Sequence, residues 1–382
     1  FGIWAGASAG TTILGPFVGG LLVNTVSWRA AFLLNVPLLL VALWATLRHV
    51  PESRDEAAPA RFDWTGSVFV ILAVGGLAFG TIRGQEHGWA APAAAASLGV
   101  GAGALLVLPL LMRHRRDALV PPELFRSRNF RVTNLSTFLI YGALYVSLTF
   151  QALFLVGTLG YSEPAAGLAT LPSTLLLALF STRFGRLAAR IGPRRFMAAG
   201  PAVMGVGLLL LTRVPATSEP WRLGAGQGWS LMPPTDYLVH FLPAILVFGA
   251  GLMVMVAPLT TAVMTSVPSR NAGLASAINN AVSRVGSPLV TAVLFVAVVA
   301  SFHGSIERRL PPAGPASETV RERVAPLNVA TAPPAARPAA REASTDAFHL
   351  AMAAAAALLF AGGAINLRID DRQALRGSDD TA

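Results

Sequence analysis

FGIWAGASAGTTILGPFVGGLLV, residues 1–23, carries no charged side chain. It is long enough to cross the hydrocarbon core of a bilayer, which takes about 20 apolar residues. Nine comparable stretches follow, at about 29–48, 64–82, 92–112, 131–155, 165–183, 196–212, 237–262, 272–300 and 347–367. Lipid offers no hydrogen-bond partners to a backbone, so a spanning segment must satisfy its own peptide groups. The alternation expected of barrel strands is missing, which leaves helices. The fold class is therefore all-α integral membrane, with about ten transmembrane helices. Composition agrees: 54% of residues are hydrophobic, 13% are charged, and mean hydropathy is +0.59, which excludes an ordinary soluble globule. The chain opens at Phe1 inside an apolar run and shows no signal-peptide pattern. The expectation is that it forms the later part of a longer membrane protein.

The net charge of +10 suggests a nucleic-acid partner at first sight, but every basic residue is Arg and most lie between apolar runs. One set of connections holds Arg48, Arg54, Arg61, Arg113, Arg115, Arg116, Arg126, Arg128 and Arg131. The same set continues with Arg183, Arg186, Arg190, Arg194, Arg195, Arg270, Arg368, Arg372 and Arg376. The alternate connections hold only Arg29, Arg83, Arg213 and Arg222, plus six arginines in one long loop. The positive-inside rule makes the first set cytoplasmic, with the C-terminus on that side and no nucleic acid involved. The long loop, 301–346, is rich in Pro, Ala and Arg and is expected to be external and poorly ordered. Cysteine is absent, which removes disulfides and thiolate metal sites. The all-Arg basic set suggests a GC-rich bacterial gene and hence a multi-pass protein of the bacterial inner membrane.

Within the first span, Gly6, Gly10, Gly15, Pro16, Gly19 and Gly20 combine close-packing glycines with a helix-bending proline. The full string G-x(4)-G-P-x-x-G-G resembles the antiporter motif of major facilitator superfamily drug exporters. WRAAFLLNVP (28–37) looks like the start of the next family span. Further landmarks keep the family order: Asp63-Trp64-x-Gly66, GQEHGW (84–89), FRSRNFR (125–131), LGYSEPAAGLATLP (159–172) and GLASAINNAVSRVG (273–286). The resemblance is to the fourteen-span drug:proton antiporter branch, and it covers nearly the whole chain. It implies a major facilitator fold lacking its first four helices. Residues 1–48 would be the last two helices of the N-terminal half, and 49–130 a central helix pair with its loops. Residues 131–367 would be a complete C-terminal six-helix half, and 368–382 a cytoplasmic tail. It also implies a gating loop, GRLAARIGPRR (185–195), with Gly185, Arg186, Arg190, Gly192, Arg194 and Arg195. The family pattern has an Asp where Ala189 stands, which leaves the loop's usual charge relay without its acid.

Two helix faces could line a substrate path. In 272–300, Ser276, Asn280, Ser283, Ser287 and Thr291 recur at helical spacing, flanked by Asn279 and Arg284. In 131–155, Asn134, Thr137, Tyr141, Tyr145 and Thr149 share a face, and Gln151 sits near the outer end. A polar stripe in a membrane faces protein or water, and interhelical hydrogen bonding accounts for such residues as readily as a pathway does. Arg284 favours the pathway, because a permanent charge a dozen residues into a helix needs a partner or water. No Asp or Glu lies deep in any span, so proton coupling is implied by the resemblance alone.

Catalytic, metal and cofactor sites are absent from this reading: there is no HExxH, GxSxG or Walker lysine. The partners expected are the lipid bilayer, a small-molecule substrate and protons, and the working unit is expected to be a monomer. The function implied is secondary active, proton-coupled efflux of drugs or other amphipathic molecules by alternating access. The alternative is a non-transporting fragment, sensor or accessory subunit of the same fold.

Overall fold

The computed structural model describes residues 26–50, 63–87, 91–113, 120–223, 232–310 and 324–371, with positions 18 and 22. Nine helices long and apolar enough to span a membrane lie among the described residues. They are α1 (Trp28–His49, with a turn at Leu34), α2 (Trp64–His87), α3 (Pro92–Arg113), α4 (Arg128–Leu153) and α5 (Glu163–Ile191). The series continues with α6 (Arg194–Leu211), α7 (Leu242–Met264), α8 (Ala272–Arg309) and α9 (Arg337–Asn366). Apart from an isolated bridge between Ala325 and Asn328, the described residues contain no β pairing. The expected span 1–23 and its motif residues Gly6, Gly10, Gly15, Pro16, Gly19 and Gly20 lie outside the described residues.

Local chemistry sets the helix starts. Ser127 caps α4 by accepting the Phe130 N–H at 3.2 Å, and its own hydroxyl donates to the Ser266 carbonyl at 2.7 Å. One residue thus begins α4 and ties it to the end of α7. Proline occupies the first turn of α5 and α9, where its missing N–H costs nothing.

Helices α4 to α9 pack into one bundle. The contacts join α4 to α8 and α9, α5 to α7, α6 to α7 and α9, and α8 to α9. Phe150, Phe154, Phe248, Phe302, Phe348 and Met204 are fully buried in their shared core. Phe154 and Phe348 stack face to face with centroids 4.0 Å apart, fixing α9 against the far end of α4. The α6–α7 crossing is close enough to demand glycine. A methyl group on Gly207 would meet the backbone of Phe248 at 2.5 Å, and one on Gly251 would overlap Met204. Helices α2 and α3 form a separate pair, with α2 also touching α8, and α1 contains no buried residue.

Two readings of the sequence are corrected. The stretch 301–346 is not one poorly ordered loop. Helix α8 runs on to Arg309 and α9 starts at Arg337. Between them Val324, Leu327 and Val329 are buried against the bundle end. The Val329 N–H donates to the Gly157 carbonyl at 2.9 Å, and Leu327 holds a left-handed φ of +65° in full burial. A few apolar side chains suffice to seat a segment whose average composition reads as disordered. The presumed gating loop is likewise mostly helix: α5 continues through Gly185, Arg186 and Arg190 to Ile191. Arginine is a good helix former, so charge ended the apolar run without ending the helix.

The same far end contains two π-helical turns, Phe154–Thr158 after α4 and Tyr237–Phe241 before α7. The first frees the Gly157 carbonyl for Val329 and brings the Thr158 hydroxyl to 2.6 Å from that of Ser344.

Candidate functional site

The facing surfaces of α4 and α8 hold polar side chains well inside both helices. Residues 134, 137, 141 and 145 are spaced by three and four, so Asn134, Thr137, Tyr141 and Tyr145 fall on one face of α4. Asn134 donates to the Phe130 carbonyl at 2.8 Å, which fixes its amide and leaves the oxygen turned outward. From α8, the Asn279 amide donates to Asn134 Oδ1 at 3.2 Å and to Thr137 Oγ1 at 2.9 Å. Thr137 is fully buried and Asn134 nearly so. This fork of two hydrogen bonds joins the polar faces of the two helices, beside the close packing of Val290 on Gly142 and of Gly286 on Phe138.

Next along α4 come Tyr141 and Tyr145, partly buried, with ring centroids 6.0 Å apart and tilted planes. Two flat rings with polar tips suit an amphipathic ligand. Arg284 on α8 is exposed and lies within electrostatic reach of the Tyr141 hydroxyl. It is twelve residues beyond Ala272 (the first residue of α8), or ~18 Å along the helix axis at 1.5 Å per residue. Its guanidinium is thus far from the helix end, on a face the bundle leaves open.

The rest of the α8 stripe behaves differently. Asn280 donates to the Ser276 carbonyl at 3.0 Å, Ser283 to that of Asn280 at 2.8 Å, and Thr291 to that of Ser287 at 2.8 Å. These donors are spent on their own helix, while their oxygens keep free lone pairs. Asn279, read from the sequence as a flanking residue, is the one that crosses to α4. Thr149 is exposed.

Gln151 does not line an open path in this conformation. It is fully buried, and neither amide atom has a hydrogen-bond partner. The gating-loop residues gather at the arginine-rich end, where Gly192 and Pro193 alone form the turn between α5 and α6. Gly192 has φ +93°, a conformation that favours glycine. Sequence reasoning missed Asn129 and Asn366. Asn129 is nearly buried and exchanges two hydrogen bonds of 2.8 Å with the backbone of Asp370. Asn366 donates to the Met197 carbonyl at 2.8 Å. Both partnerships join distant parts of the chain, and no local pattern announces them. Among the described residues, no group of His, Asp or Glu could hold a metal ion.

Comparison with known proteins fits this arrangement. A family profile described as Major Facilitator Superfamily matches residues 1–124. The chain is 32% identical over 315 residues to the multidrug resistance protein Stp of Mycobacterium tuberculosis, covering 82% of this chain and 55% of that one. It is 31% identical over 353 residues to the tetracenomycin C resistance and export protein of Streptomyces glaucescens, covering 90% and 61%. It is 31% identical over 301 residues to the puromycin resistance protein pur8 of Streptomyces alboniger, covering 77% and 55%. The aligned region thus amounts to little more than half the length of these relatives. The apolar helices, their bundle packing and these similarities together identify a multi-pass membrane protein that belongs to the major facilitator superfamily, a family of transporters rather than enzymes.

Proposed function

We propose that the chain works in secondary active efflux of drugs or other amphipathic small molecules, as part of a fourteen-span proton-coupled antiporter of the bacterial inner membrane. The observation that carries this reading is Arg284, twelve residues into α8 and within electrostatic reach of Tyr141, which pairs with Tyr145 on the facing helix. A charge at that depth is costly unless it meets a counter-charge or a watery path, so its retention fits transport better than packing. The flat rings would hold the apolar body of a substrate while Arg284 meets a carboxylate or other anionic group. That favours anionic or zwitterionic compounds. The names of the similar proteins, which concern resistance and export, support efflux as the direction.

In this reading the arginine-rich end faces the cytoplasm, and the α4–α9 bundle rocks as one body during alternating access. The Asn279 fork keeps α4 and α8 in register as it does so. The carboxylates of these helices, Glu163, Glu307, Glu342 and Asp346, lie within ten residues of a helix end, and Asp346 is paired with Arg309 at 2.8 Å, so the proton would be carried by a group elsewhere in a longer protein. The test is drug and dye efflux from an efflux-deficient bacterium expressing the full reading frame. Arg284→Ala should abolish export with membrane expression unchanged. Export at the unmodified rate would refute the role given to Arg284.

A further inference from the structure

At the arginine-rich end, α6 begins without a cap of its own. Its N-cap position is Pro193, which offers no side-chain acceptor, so the first-turn N–H groups lack an internal partner. The missing acceptor comes from 177 residues away: Asp371 Oδ1 accepts the Arg194 N–H at 3.0 Å. The carboxylate sits at the positive end of the α6 dipole. Arg128, Arg194 and Arg368 line the same cavity of about 340 Å³, together with Asp370 and Asp371. Gly192 completes the fit, because a methyl group there would overlap the Asp371 side chain.

Asp371 is the last of a series of anchors in six consecutive residues. Asn366 reaches the Met197 carbonyl within α6 at 2.8 Å. Ile369 is 2% exposed and packs in a cluster with Leu124, Phe130 and Met197. The Asp370 backbone is held from both sides by the Asn129 amide at the start of α4. A segment just past a final helix ordinarily frays. This one is bound to α4, to α6 and to the α5–α6 turn.

We propose that residues 366–371 form a latch, with Asp371 as its positioning residue. The latch joins the ends of α4, α6 and α9 and supplies the carboxylate that holds the basic turn between α5 and α6. The helix ends that flank this turn carry Arg186, Arg190, Arg194 and Arg195 within GRLAARIGPRR, a stretch with no acid of its own. Withdrawal of Asp371 releases the turn and the tail together. The proposal rests on this geometry and stands whether or not the protein exports drugs.

The absence of cysteine gives a reporter without background. A single Cys placed as Ile369→Cys in the full chain, in lipid nanodiscs, is alkylated with a membrane-impermeant maleimide. An Ala189→Cys chain serves as the exposed control. Protection of position 369 relative to 189 is expected. Asp371→Ala should speed labelling at 369 roughly tenfold, the size of one lost helix cap. Asp371→Asn keeps a side-chain acceptor and should restore most of the protection, a rescue that a role in bulk packing would not produce. Gly192→Ala, which displaces Asp371 from the other side, should also speed labelling. Labelling at 369 as fast as at 189 in the parent chain, or no response to either Asp371→Ala or Gly192→Ala, would overturn the latch.

Discussion

The fork from Asn279 to α4 can be tested by a double-mutant cycle. Asn279→Ala removes two hydrogen bonds, of 2.9 and 3.2 Å, and leaves Thr137 Oγ1 fully buried without that donor. Interhelical hydrogen bonds in membranes average about 0.6 kcal/mol and reach about 1.7. Two of them, one into a fully buried acceptor, put the loss for Asn279→Ala at about 1–2 kcal/mol. Thr137→Val removes the shorter bond and spares the longer one, so it should cost about 0.6–1 kcal/mol. The double variant loses the shared bond once, which makes it less destabilised than the sum by about 0.5–1 kcal/mol. The assay is reversible unfolding of the four chains in mixed micelles, read by tryptophan fluorescence. Strict additivity would show that the two side chains are not energetically coupled, and the register role given to Asn279 would fail with it.

Replacing Phe348 by Ala, which removes the stacked partner of Phe154 from a fully buried position, should cost about 3–5 kcal/mol in the same unfolding assay. Gly251→Ala forces a methyl group into Met204 across the α6–α7 crossing and should destabilise by about 1–3 kcal/mol. Gln151→Leu removes a buried amide whose atoms have no partner, so stability should hold or rise, and a clear fall in the melting midpoint would mean that the amide is satisfied by water. Tyr161, in the connection between α4 and α5, has its phenol pushed up to about 12 by burial, with Tyr237 and Asp236 adding to the effect. The neutral form is favoured in the fold, so this contribution is intact below the ordinary value near 10 and is lost as pH rises from there towards 12. Ultraviolet difference titration of the parent chain and a Tyr161→Phe variant should show one late-ionising tyrosine disappear.

Much of this architecture was legible in the sequence, because a spanning helix announces itself through the length of its apolar run. The limits of that signal are also visible. Arg183 ended the apolar run of α5, yet the helix goes on to Ile191, since what ends a run in hydropathy is polarity and what ends a helix is Gly192. The stretch around Leu327 and Val329 was hidden by its Pro and Ala neighbours, although two or three buried side chains were enough to seat it. Periodicity found the faces of α4 and α8 but could not rank them. Asn280 and Ser283 keep the stricter spacing and donate to their own helix, while Asn279 sits one step round and makes the crossing. The pairing of Asp371 with Arg194 is invisible to any local window, because it exists only once α9 has brought the tail back beside α6.

The π turns at Phe154–Thr158 and Tyr237–Phe241 bear on how this chain is compared with its kin. A π turn accommodates one residue more than an α turn, so the sequence on its two sides is offset by one position without any change in the surrounding bundle. A relative that lacks a residue at either place would keep every interior contact on both sides, and a correct alignment would open a one-residue gap inside an apparently uninterrupted helix. Aligned without that gap, the stretch containing Gln151 would be matched one place out, and its polar positions would seem to drift from face to face among proteins that share them.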